Sequence, residues 1–195
     1  QGAIGVAQEL LEDVAKKVIG SNVIIQVDMD KAYEKLEWSF ILWVMRKMGF
    51  QEWVCDLCFH CFSSPWLSIS LLGKNFGFFK SVRGVRQGDP LSPSLFHLDQ
   101  EALSQNLQKW FRNMKIRPYR SKVSDICSHI MFADDLLIFM NGRRSSLANF
   151  MRLILIYCSL SGQPVNLGKS KVFISKNCSR RRAQKIQDIL GINQK

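Results

Sequence analysis

The chain has 195 residues, 47% of them hydrophobic, and carries 27 Lys and Arg against 16 Asp and Glu, a formal net charge of +11. That length suffices for a buried core, and the charge disfavours a neutral surface and favours a polyanionic partner, nucleic acid ahead of anionic membrane. No apolar run approaches the ~20 residues of a membrane-spanning helix, and the opening QGAIGVAQELLEDVAKKVIG is too acidic for a secretory signal.

Without repeats, low-complexity tracts or a Pro/Gly linker, residues 1–195 read as a single domain, and the missing initiator Met points to a piece of a longer protein. Residues 4–18 predict a helix, with Val6, Leu10, Leu11, Val14 and Val18 on one side. NVIIQVDM (22–29) is a β-branched run and predicts a buried strand. DKAYEKLEWSFILWVMRKMGF (30–50) predicts a helix stopped by Gly49, and a second helix follows it. In that second helix Cys55, Cys58 and Cys61 flank His60 at a spacing shared with metal sites, yet they fall on one helical stripe. Packing is the simpler account, since Cys is among the most buried residue types. The other cysteines, Cys127, Cys158 and Cys178, are scattered, which fits a reducing intracellular compartment.

LSISLLGKNFGFFKSV (67–82) predicts a hairpin turning at Gly73–Asn75. GDPLSP then punctuates the chain, with Pro90 and Pro93 placed like early helix residues, and a long helix runs to about Met114. Residues 126–140 predict two short strands with Asp134 and Asp135 at the turn. Residues 145–162 predict a helix capped by Ser145 or Ser146 and ended by Gly162. A strand pair around 163–175 and a basic helix over 179–190 complete an α+β order: an antiparallel sheet with helices packed mainly on one face.

Two adjacent carboxylates between apolar runs raise each other's pKa. A divalent cation relieves that repulsion by pairing both charges, and Mg²⁺ takes such hard oxygen ligands together with substrate phosphates. Asp28, at the C-terminal end of the first strand, is the further acid such a site requires. The three histidines, His60, His97 and His129, show no partner pattern.

VDMDKAYEKLEW (27–38), RGVRQGDPLSPSLF (83–96), FADD (132–135) and SGQPVNLGKSKVFIS (161–175) occur in that order. Together they resemble four successive motifs of the reverse transcriptases of LINE-type, non-LTR retrotransposons, most nearly the plant forms, and the resemblance covers about residues 5–192. FADD alone is weak; RQGDPLSP is specific. The combination of FADD with SGQPVNLGKS speaks against a group II intron maturase or an RNA-dependent RNA polymerase. The resemblance implies a polymerase palm with part of the fingers, the upstream fingers and downstream thumb lying beyond this chain. It also implies RNA-directed DNA polymerisation, with dNTP, RNA template and DNA primer as partners and no membrane, in the nucleus or a cytoplasmic ribonucleoprotein.

Residue by residue, the resemblance makes Asp28, Asp134 and Asp135 the ligands of two Mg²⁺ ions, with Mn²⁺ as an alternative; Asp28 and Asp134 bridge most directly. The bland alternative for Asp28 is a helix N-cap. Tyr33 falls where the family places an aromatic that excludes a ribose 2′-OH; the alternative is a core tyrosine beside Leu36. Arg86, Gln87 and Gly88 lie where the family contacts the nascent pair, and the alternative is a capped helix start. Lys169 matches the lysine near the leaving pyrophosphate, with Lys171 a close competitor. Arg180, Arg181, Arg182 and Lys185 lie where template or primer backbone passes. Glu34 departs from the family, which usually has Asp there. Without its clamps the chain is expected to show little or no polymerase activity by itself, and an inactive remnant that at most binds nucleic acid is the second reading.

Overall fold

The protein is described by a computed structural model covering residues 21–120, 127–132, 134–175 and 177–192, so the helix expected over 4–18 lies outside the described residues. In chain order the elements are β1 (Asn22–Asp28), α1 (Ala32–Lys35), α2 (Trp38–Lys47), α3 (Glu52–Ser63), β2 (Trp66–Leu71), β3 (Lys74–Lys80), α4 (Ser92–Arg112), β4 (His129–Phe132), β5 (Asp135–Asn141), α5 (Arg144–Ser161), β6 (Lys171–Ile174) and α6 (Arg180–Leu190). The chain forms two compact units. One contains Gln1–Asp30, Leu103–Cys158 and Pro164–Lys195; the other contains Lys31–Ala102 and Ser159–Gln163.

The first unit is built on a four-stranded sheet in the order β4-β5-β1-β6, with every pairing antiparallel. β1 is interior, which explains why its sequence is a near-continuous β-branched run: Val23, Ile24, Ile25 and Val27 are all buried. It pairs with β5 along its whole length, from Asn22 opposite Asn141 to Asp28 opposite Asp135. A slip of one residue would reverse the faces of every side chain in β5, so the buried pattern fixes which acid stands opposite Asp28. Ile24 and its register partner Phe139 form a core with Tyr119, whose ring meets Phe139 edge-on at 6.3 Å. The buried Asn22 amide is satisfied by the Arg120 main chain, donating to its carbonyl at 2.7 Å and accepting from its N–H at 3.0 Å.

Of the strand pair expected over 163–175, only β6 forms. Val165 makes a single bridge to Met29, and residues 166–169 close a turn in which the Asn166 Oδ1 accepts the Lys169 N–H. An Asn side chain competing for local backbone donors favours a turn over a ladder. α6 spans the predicted basic helix and ends at Gly191, whose φ of +65° supplies the left-handed C-terminal cap.

In the second unit the helix expected over 30–50 is interrupted. α1 is a single turn, Leu36 and Glu37 are extended, and the helix resumes at Trp38. The backbone groups freed by the break have partners. The Leu36 carbonyl accepts the Gly84 N–H at 2.8 Å, the Tyr33 carbonyl accepts the Val85 N–H at 2.8 Å, and the Glu37 N–H donates to the Ser161 carbonyl at 2.8 Å. Tertiary hydrogen bonds here outweigh helix propensity, which amounts to a few tenths of a kcal/mol per residue. The hairpin β2–β3 turns at Leu72 and Gly73, both at positive φ, one residue before the expected position.

Candidate active site

Asp28 ends β1, and its backbone is held on both sides. Its N–H donates to Ser170 Oγ at 3.1 Å and its carbonyl accepts the Asn166 N–H at 2.9 Å. The Ser170 hydroxyl donates onward to the Asn166 carbonyl at 2.8 Å, so the 166–170 turn that carries Lys169 is stapled to Asp28. On the other side the Met29 N–H donates to the Asp134 carbonyl at 3.2 Å, which extends the β1–β5 pairing by one residue into the β4–β5 loop. Asp28 and Asp135 are register partners and therefore share a face of the sheet, and Gln26, two residues earlier, shares it too. The Gln26 amide donates to Asp135 Oδ1 at 3.2 Å, which ties this carboxylate to the sheet. Replacing Ser170, itself buried, by Ala strands the Asp28 N–H; a loss of about 1–3 kcal/mol is expected. Thermal denaturation should show Tm lowered by roughly 4 °C, and an unchanged Tm would remove Ser170 from this role.

The acidic pair is less buried than its apolar flanks predict. It sits at the tip of the β4–β5 hairpin, where Asp134 is exposed, Asp135 half-buried and Phe132 81% exposed. Solvent therefore carries part of the repulsion. Burial raises the half-buried Asp28 carboxyl above its ordinary value, Lys169 opposes this most, and the charges of Asp134, Asp135 and Asp30 raise it further. Between the two candidate lysines, Lys169 acts on Asp28, whereas Lys171 lies in β6 opposite Gln26.

The donor chemistry fits a divalent cation. Asp28 and Asp134 offer hard oxygen ligands in mutual repulsion, which a cation would relieve. Among the described residues no group of three or more His, Cys, Asp or Glu is gathered to hold a metal. Two carboxylates with the remaining ligands from phosphate oxygens is the usual pattern for Mg²⁺. The Cys stripe of α3 grades from buried Cys55 to exposed Cys61, and burial raises the Cys58 thiol above its ordinary value. That disfavours the thiolate a metal would need.

The second unit holds Tyr33, Arg86, Gln87 and Gly88, whereas the basic residues of α6 belong to the sheet unit. The half-buried Tyr33 ring stacks on the buried Phe96 at 4.3 Å. Gln87 Nε2 donates to Glu34 Oε1 at 2.9 Å, so the residue that departs from the family pattern positions the amide beside Gly88. Gly88 has a φ of +84° with open space where a side chain would project. Arg86 pairs with Asp89 at 2.6 Å, and Asp89 Oδ1 accepts the Leu91 N–H at 3.0 Å just before α4. Arg180, Arg181, Arg182 and Lys185 are all exposed on α6, whose Ile186 and Leu190 are buried.

Sequence reasoning missed Gln26, Asn166, Ser170 and Gly84. The sequence signal for the first three was their position two residues before, or within five residues of, a chemistry-bearing side chain. No helix among the described residues is long and apolar enough to cross a membrane.

Residues 4–193 match the family described as Reverse transcriptase (RNA-dependent DNA polymerase). The Retrovirus-related Pol polyprotein from the type-2 retrotransposable element R2DM of Drosophila melanogaster is 29% identical over 75% of this chain. That from the type-1 retrotransposable element R2 of Popillia japonica is 26% identical over 73%. The matched regions are 13% and 23% of the length of these polyproteins. Among solved structures, telomerase from Candida tropicalis in complex with a telomeric RNA fragment superimposes with a TM-score of 0.65 at 13% identity, over 92% of this chain and 30% of that one. The apo C. tropicalis telomerase lacking its C-terminal domain gives 0.62 at 15%, over 90% and 34%. The fold is thus that of a polymerase palm.

Proposed function

The chain belongs to the reverse transcriptase (RNA-dependent DNA polymerase) family, its relatives being Pol polyproteins of retrotransposable elements of the non-LTR type, and on that premise we propose that it carries the polymerising centre of a plant-like element of this kind. In this reading residues 1–195 form one catalytic domain, the sheet unit being palm and the second unit including part of the fingers. The reaction is transfer of a nucleotidyl group from dNTP to a primer 3′-OH on an RNA template, in the nucleus or a cytoplasmic ribonucleoprotein.

The supporting observation is the β1–β5 ladder, which sets Asp28 opposite Asp135 and hydrogen-bonds Met29 to Asp134. Family members generally use divalent metal ions. Asp28 and Asp134 would hold Mg²⁺ here, with Asp135 in support, and two bound ions would stabilise the attacking and leaving oxygens of the displacement. Lys169, on the turn stapled to Asp28, neutralises charge or donates a proton as pyrophosphate leaves. Arg86, Gln87 and Gly88 contact the nascent pair at the start of α4, where backbone N–H groups are available. Arg180, Arg181, Arg182 and Lys185 contact nucleic-acid phosphates.

The test is primer extension on an RNA template with Mg²⁺ and dNTP, using the chain within its encoding open reading frame. Extension that survives Asp134→Asn would overturn the assignment. In the same assay Tyr33→Ala should lower the preference for dNTP over rNTP by at least tenfold, about 1.4 kcal/mol. Unchanged selectivity would return Tyr33 to the simpler role of packing on Phe96.

A further inference from the structure

We propose that the groove between the start of α5 and α6 holds the phosphate backbone of a nucleic-acid duplex; this rests on the nucleic-acid partner of the preceding reading and adds a site to it. The groove has a volume of 740 Å³ and lies wholly in the sheet unit. One wall is the first turn of α5, with Arg144; the other is α6, with Arg181, Arg182 and Lys185. Leu147 and Ile186 are buried below them. All four cations are exposed, and none makes an ion pair among the described residues. Asp188 is the one acid among the described residues of the lining, and it accepts a hydrogen bond from Gln184 at 2.9 Å.

A solvated helix face accounts for charges on α6 alone, but not for Arg144, brought to the same groove by a different helix. Both helices also begin at the groove, where unsatisfied N–H groups and the dipole favour an anion. At α6 the N-cap Ser179 makes no side-chain capping bond, and its carbonyl accepts the Arg182 and Ala183 N–H groups. Four unpaired cations sharing one concavity repel one another until a polyanion enters.

The lining selects the class of polyanion. Its described residues include no aromatic, so they offer no stacking platform of the kind on which single-strand binders hold successive bases. What remains is contact with phosphates spaced along a regular backbone, which positions a duplex without reading its sequence.

The experiment is fluorescence anisotropy of the chain with a labelled RNA–DNA hybrid, single-stranded RNA and single-stranded DNA, in EDTA and across a salt series. EDTA removes any contribution from the metal centre. Arg144→Glu and Arg181→Glu, on different walls, should each weaken hybrid binding at least tenfold, and Arg144→Ala should lower the log–log salt slope by about 0.9. Arg152→Ala removes an exposed cation of α5 outside the groove and should leave the slope unchanged. Circular dichroism of each variant establishes folding, and the two walls provide independent readings should one variant fail. Equal losses for Arg144→Ala and Arg152→Ala would overturn the groove while leaving nucleic-acid binding in place. No binding by the unaltered chain would overturn the groove and its nucleic-acid premise together, with primer extension still testing the polymerase. Single strands bound as tightly as hybrid, with the same losses, would overturn the duplex.

Discussion

Asp28→Asn should abolish primer extension and at the same time raise the thermal stability of the metal-free protein. The two effects have one cause. Burial, together with the neighbouring charges of Asp134, Asp135 and Asp30, disfavours the ionised Asp28 carboxyl despite the opposing Lys169. Its pKa therefore lies above the ordinary 3.8, and the folded chain holds this proton to higher pH than the unfolded chain does. The stability that proton contributes is complete below pH 3.8 and is lost as pH rises through the elevated folded-state value. Asn keeps the shape and never ionises. The Tm difference between variant and parent should thus be near zero in acid and grow toward neutral pH. A divalent cation reverses the ranking, because it binds the folded parent and stabilises it by mass action while the variant gains little. Losing a ligand that supports several kcal/mol of transition-state stabilisation should cost extension at least about a thousandfold. Differential scanning with and without Mn²⁺, over a pH series, checks the first part. A variant less stable than its parent without metal at neutral pH, or both gaining equally from Mn²⁺, would sink the account.

That trade of stability for charge was partly legible in the chain. Asp28 at the end of NVIIQVD and the acidic pair in FADD could be picked out because β-branched runs declare buried strands and carboxylates within them are costly. Pairing between those strands was not legible, since nothing local in either run specifies its partner or its register. The degree of burial was overestimated for the same reason: apolar flanks announce a strand, but only the sheet order reveals that β4 is an edge and that Asp134 lies at an exposed tip. Arg144 was overlooked because its significance comes from α6, some 40 residues away in the chain. The break at Leu36–Glu37 was missed because helix periodicity runs through it, and the hydrogen bonds that impose it come from Gly84, Val85 and Ser161.

Gly84→Ala should be among the most destabilising single-methyl changes in the chain. The residue sits at φ +80°, and a Cβ there would collide with the Glu34 carbonyl oxygen and lie 2.7 Å from its carbon and 2.9 Å from its Cα. All three are backbone atoms of α1 and cannot swing aside as the end of a side chain would. The close approach is needed because the Gly84 N–H donates to the Leu36 carbonyl, Val85 N–H donates to the Tyr33 carbonyl, and Trp38 Nε1 donates to the Gly84 carbonyl at 2.7 Å. A methyl group must either break this set or displace the turn that carries Tyr33 and Glu34. The left-handed conformation alone costs a non-glycine residue about 1–2 kcal/mol; with the clash the total should reach about 3 kcal/mol or more, lowering Tm by roughly 6–12 °C. Gly49→Ala is the matched comparison, since Gly49 has φ +90° but nothing within 4 Å of the added carbon. It should show the conformational part alone, a fall of roughly 2–8 °C. The difference between the two variants in one melting experiment measures the steric term. Equal losses at both positions would mean that the turn yields freely, and that its contact with Gly84 does not hold Tyr33 and Glu34 in place.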